Sequence, residues 1–66
     1  MKLYEIKKGS KIVCELSDGS TYCIFDHLDG KYSYCTTEKG GVIHLGALTL
    51  LKEVDGHYEL ATQDEN

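Results

Sequence analysis

KIVCELSDGSTYCIFDHLDGKYSYC, residues Lys11–Cys35, consists of three apolar-rich runs separated by Asp18-Gly19 and Asp29-Gly30. An Asp-Gly pair suits a two-residue hairpin turn, where both central residues take φ > 0. A third pair, Asp55-Gly56, separates two further apolar runs. Three such turns in 66 residues predict an antiparallel meander, and helical periodicity is weak. The predicted strands are 11–16, 21–28, 32–37, 42–45, 49–54 and 57–61. Residues 3–8 read as a short strand or a single helical turn.

Register follows from the turns. A two-residue loop at Asp18-Gly19 sets Ile12 opposite Phe25, Cys14 opposite Cys23 and Leu16 opposite Thr21. One at Asp29-Gly30 sets Phe25 opposite Tyr34 and His27 opposite Tyr32. One at Asp55-Gly56 sets Leu51 opposite Leu60 and Lys52 opposite Glu59. Ile12, Cys14, Leu16, Cys23, Phe25, Tyr32 and Tyr34 then share one face as the expected core. Val13, Glu15, Tyr22, Ile24 and Cys35 share the other. Leu28 is out of phase with Phe25 on strict alternation, which predicts a bulge or sharp bend late in the second strand. A strand bent in this way lets a small sheet close into a barrel.

Length and composition bound the class. Sixty-six residues make one small domain. A chain of this size buries only about 60% of its unfolded surface, so disulfides, a metal or self-association would help to stabilise it. The expected domain is 1–61, with a polar tail at 62–66. No apolar run approaches transmembrane length, and Met1-Lys2-Leu3 leads into no signal-peptide core. A cytoplasmic protein without a membrane partner is therefore expected. All seven basic residues are Lys, against eleven acidic ones, and the net charge is −4. The basic footprint of a duplex-DNA binder is absent, as is the bidentate fork of Arg.

The order of motifs resembles the Sm and Sm-like family. Gly9–Gly19 resembles the opening of that family's first motif, and Leu28-Asp29-Gly30-Lys31-Tyr32-Ser33-Tyr34-Cys35 resembles its central stretch. Ile43-His44-Leu45-Gly46-Ala47-Leu48-Thr49-Leu50-Leu51 resembles the second motif. The resemblance covers about residues 9–52. Within it Asp29 matches the family's pattern. Ser33 stands at the family's Asn, Lys31 at its stacking aromatic, and His44 or Leu45 at its Arg.

The resemblance implies a small, strongly bent, all-β antiparallel barrel of five to six strands. It also implies a homo-oligomeric ring in which the fifth strand of one subunit adds to the fourth of the next. Val42, Ile43, Leu45, Leu48, Leu50 and Leu51 are the expected subunit interface. The implied function is non-catalytic binding of single-stranded RNA. The expected pocket comprises Asp29, Lys31, Tyr32, Ser33 and His44. Tyr32 or His44 stacks a base, worth about 1–3 kcal/mol. Ser33 and Asp29 meet its polar edge, and Lys31 or Lys39 meets a phosphate. The alternative there is a polar turn with Tyr32 in the core. At the level of function, the alternative is an oligomeric protein-interaction scaffold without nucleotide binding.

Other chemistries find less support. Cys14, Cys23 and Cys35 lack the C-x-x-C spacing of a zinc site. Cys14 directly opposite Cys23 is within reach of a disulfide, but a reducing cytosol favours three buried thiols. His27, His44 and His57 fall on different strands, in no metal-binding pattern. Neither a nucleophile elbow nor a phosphate-cradling loop is present. No metal, cofactor or catalytic residue is expected.

Overall fold

A computed structural model describes residues 1–61; the expected tail at 62–66 lies outside the described residues. The chain is all-β. Its strands are β1 (Lys11–Val13), β2 (Tyr22–Asp29), β3 (Tyr32–Thr37), β4 (Val42–Ile43), β5 (Leu51–Val54) and β6 (His57–Leu60). They form one six-stranded sheet in the order β4-β3-β2-β1-β6-β5. Leu3–Glu5 is a single 3-10 turn. The Glu5 carboxylate accepts from the Lys2 N–H at 2.7 Å there, and Leu3 is buried.

The sheet is mixed, which departs from the all-antiparallel expectation. β6 pairs parallel to β1, with Ile12 beside Tyr58 and Val13 beside Glu59. A parallel pair needs a long connection, and β2 to β5 supply it. Among the described residues the ladder order ends at β4 and β5, so the two edges are not joined to each other.

The three Asp-Gly turns fold differently. At Asp55-Gly56 both residues have positive φ, 50° and 87°, as a type I′ turn requires. Leu51 faces Leu60 and Lys52 faces Glu59, as the turn predicts.

The first turn is longer. The Gly19 N–H donates to the Leu16 carbonyl, and the Leu16 N–H donates to the Ser20 carbonyl. With Gly19 at φ 88°, this is a three-residue loop ending in a glycine bulge. The longer loop shifts the register by one, and a second shift between Leu16–Ser20 and Cys14–Thr21, where Glu15 is the extra residue, makes it two and places Ile12 opposite Cys23. Cys14 donates its N–H to Thr21, so Cys14 is not directly opposite Cys23. A slip of two keeps every side chain on its face; a slip of one would not.

In the second turn Asp29 ends β2, and Gly30 (φ 67°) and Lys31 make the loop, so Asp29 faces Tyr32. The predicted bulge is present. Phe25 faces Cys35 but His27 faces Tyr34, leaving Asp26 as the extra residue. That single insertion reverses the expected faces of β3. Ser33, Cys35 and Thr37 turn inward and are buried, whereas Tyr32 is exposed and Tyr34 is half-buried.

The core is Leu3, Ile6, Ile12, Cys23, Phe25, Cys35 and Leu51, with Cys14, Leu16, Ile43, Leu45 and Tyr58 packed against it. Leu51 is thus a core residue and not a surface contact. Ile43 and Leu45 are also partly committed to the core, and Leu50 is half-buried. Val42 and Leu48 are exposed.

Candidate functional site

The bulge at Asp26 brings four side chains to one outer surface. Asp29 and Tyr32 are cross-strand neighbours beside the Gly30-Lys31 turn. His27 and Tyr34 are the next outward pair, and their rings stack with centroids 4.7 Å apart and planes 7° from parallel. His44 follows β4, and its ring meets Tyr34 at 82° with centroids 4.5 Å apart. Asp29, Tyr32, Tyr34 and His44 line a hollow of about 380 Å³.

Backbone bonds hold the walls. A carbonyl oxygen can only accept, so His44 Nδ1 donates to the Ser33 carbonyl at 3.1 Å, which fixes the ring's tautomer. On the other side, His27 Nδ1 bonds the Asp26 carboxylate, and Lys8 lies 3.7 Å from that carboxylate. The His27 hydrogen bond, aided by Lys8, holds the Asp26 carboxyl below the usual carboxylate range. The other ion pair joins His57 and Glu59, so among the described residues none engages Asp29.

A second hollow of about 540 Å³ is lined by Gly30, Lys31, Tyr32, Gly46, Ala47 and Leu48. Tyr32 borders both hollows and is 58% exposed. The Ala47 N–H donates to the Lys31 carbonyl at 2.8 Å, tying this rim to the turn.

Of the predicted pocket residues, Asp29, Tyr32 and His44 come together, while Lys31 belongs to the adjoining hollow. Ser33 lies beneath them, fully buried. Its hydroxyl donates to the Leu45 carbonyl at 2.9 Å and accepts from the Leu45 N–H at 3.1 Å. It pins the β4 exit to β3 and presents nothing to a ligand. Lys39 lies in the loop after β3, where its N–H donates to Ser20 Oγ. That is the opposite end of β3 from Tyr32. Tyr34 and His27 are the site residues that strict alternation hides. Counting the extra residue at Asp26 carries both to the outer surface.

The three cysteines are free thiols, with Cys23 and Cys35 buried and Cys14 half-buried. A hydrogen bond to Cys35, together with burial, pushes the Cys23 thiol up and keeps it protonated. Among the described residues no group of three or more His, Cys, Asp or Glu side chains is placed to hold a metal ion. None of their helices is long and apolar enough to cross a membrane.

Compared with protein-family models, curated proteins and solved structures, the chain matches none.

Proposed function

We propose that this chain is a non-catalytic protein-interaction module, Sm-like in its motif order, which self-assembles through an open sheet edge. The observation that carries the reading is the Asp29 carboxylate on the wall of an aromatic hollow, in no ion pair among the described residues. In a chain of net charge −4 with no Arg, that carboxylate repels a phosphodiester and attracts a cationic partner group. Ser33 offers no free nucleophile, because it is fully buried and its hydroxyl bonds both backbone groups of Leu45. Three free thiols suit a reducing compartment such as the cytoplasm.

β4 supports the assembly. The carbonyls of Gly41 and Leu45 accept from Thr37 and Ser33. On strand alternation, the main-chain groups of Val42 and His44 then face away from β3. Val42 is 59% exposed beside this free edge, which suits strand addition by a neighbour. The β5 edge is less open. At Leu51 the Met1 amino group donates to the Leu51 carbonyl at 2.8 Å, and the Leu51 N–H donates back to the Met1 carbonyl. A ring built by adding β5 to a neighbour's β4 therefore uses the stretch beyond Leu51.

Light scattering on a size-exclusion column tests the assembly. An oligomer at micromolar concentration that Val42→Lys reduces to monomer is the expected result. A monomer in the unmodified protein would sink the self-assembly reading.

A second reading, single-stranded RNA binding, draws on one observation: the Tyr32 ring is exposed between two hollows with Lys31 beside it. Titration with labelled oligo-U and oligo-A at two salt concentrations tests it. RNA contacts to phosphate give an affinity that falls with salt.

A further inference from the structure

We infer that the Asp29–Tyr32–Tyr34–His44 hollow is a cage for an alkylated ammonium, the methylated side chain of a lysine on a partner protein. The inference rests on the protein-interaction reading above and names the chemical group recognised.

Wall geometry argues against a flat ligand. A nucleobase fits best in a slot between parallel rings. Here the two packed rings, Tyr34 and His44, meet at 82° and form a corner. One face of Tyr34 is already covered by the stacked His27. Two rings set at a steep angle, with a third ring, Tyr32, on the rim of the hollow, suit a rounded cation better than a flat base. Such a cation is attracted to the negative faces of the rings. The chain makes such a contact within itself, with Lys11 Nζ 4.4 Å from the centre of the Tyr22 ring.

Charge selects the sign. Asp29 supplies a carboxylate that no ion pair among the described residues neutralises.

Donor count selects the substituted ammonium over the bare one. An unmodified ammonium carries three N–H donors and a tight hydration shell. A hollow with one carboxylate cannot replace that shell. Each methyl group removes a donor, lowers the desolvation penalty and adds apolar surface for the rings.

The neighbouring hollow indicates a peptide rather than a free small cation. It shares Tyr32 with the cage and continues it along Gly46, Ala47 and Leu48. Leu48 is 69% exposed, so a residue flanking the modified lysine has an apolar surface on which to lie.

The experiment is an NMR titration of the intact protein with three alanine-flanked pentapeptides. Their central residue is trimethyllysine, lysine or the neutral tert-butyl isostere of trimethyllysine. The trimethyllysine peptide should move the Tyr32, Tyr34 and His44 signals and bind at least about tenfold tighter than the isostere. Tyr32→Leu keeps an apolar side chain but removes the ring. It should weaken binding about three- to thirtyfold, the range of a cation–π contact, with an unchanged circular dichroism spectrum. Equal affinity for the charged peptide and its isostere would overturn the cage yet leave a protein-binding surface. Tighter binding of unmodified lysine would do the same. Oligo-U saturating the same signals while every peptide fails would overturn both the cage and the protein-interaction reading. Silence from all ligands at millimolar concentration would overturn the cage, leaving the interaction reading to the light-scattering test.

Discussion

Ser33, Cys35 and Thr37 on the packed face of β3 are 0%, 1% and 4% exposed, whereas Tyr32 on the opposite face is 58% exposed. On this strand polar and small residues turn inward, and the large aromatics stand outside. Each inward hydroxyl has found protein partners. Ser33 bonds both backbone groups of Leu45. Thr37 Oγ1 donates to the Asp18 carboxylate at 2.8 Å and accepts from the Gly41 N–H at 2.9 Å. Satisfied in this way, a buried hydroxyl is tolerated, while an unsatisfied one is costly. On the outside, Tyr34 is held by His27 and His44 rather than by the core. Burial on β3 follows hydrogen-bond satisfaction, and its exposed face borders the proposed site.

The largest effect that could break this contrast is expected at Leu51, which is 1% exposed and meets the same core as the inner face of β3. Leu51→Ala should cost about 2–5 kcal/mol. A core in a domain of this size supplies about 3–5 kcal/mol of net stability at most, so the variant should be largely unfolded by circular dichroism. A folded variant with altered assembly would instead make Leu51 an interface residue.

Ser33→Ala tests the inner face more sharply. Removing the hydroxyl leaves the N–H of the half-buried Leu45 without its acceptor. The expected loss is about 1–3 kcal/mol, read from urea unfolding. A neutral result would mean that the hydroxyl is incidental and that β3 tolerates any small residue there.

The third test uses pH. Hydrogen bonds from Ser20, then from Thr37, hold the Asp18 carboxyl below its usual range. A depressed native pKa gives stability that is present above the unfolded value, about 3.9, and is lost as pH falls through the native one. The urea midpoint of the wild type should therefore drop between about pH 4 and the native pKa. Asp18→Asn should flatten part of that drop. Equal acid sensitivity in the two proteins would remove Asp18 from the network that satisfies Thr37.

How far the sequence could be read depended on which device each turn used. Asp55-Gly56 is a plain type I′ turn, and its register followed from two residues. At Asp18-Gly19 the glycine took the positive φ alone, and Asp18 instead accepts from the Ser20 N–H. The loop grew by one residue, which alone would have reversed the faces, and the extra residue at Glu15 restored them. The bulge near Leu28 was visible as a break in alternation. Its consequence for β3, one strand away, appears only when the extra residue is carried through the pairing. For that reason Asp29, Tyr32 and His44 were legible as site residues, while Tyr34 looked like core and Ser33 looked like a ligand contact. The parallel β1–β6 pair had no local signal, because short turns specify only antiparallel neighbours.

The smallest effect on stability is expected at Tyr32, and its smallness is what the contrast requires. The ring is exposed and has no aromatic partner among the described residues. Tyr32→Ala should change unfolding free energy by no more than about 0.5 kcal/mol, as for a surface side chain. Tyr34→Ala should cost more, because it breaks a stacked and an edge-on pair, each worth about 0.5–1.5 kcal/mol in aromatic systems. Both substitutions should reduce ligand binding. On the proposed reading, Tyr34 couples the fold to the site, and Tyr32 contributes to binding alone. If Tyr32→Ala unfolded the protein, the outer face would be structural after all, and the two faces of β3 would differ only in polarity. If it left stability intact and abolished binding, the exposed aromatic would be there for its ligand, which is what the reversed pattern on this strand implies.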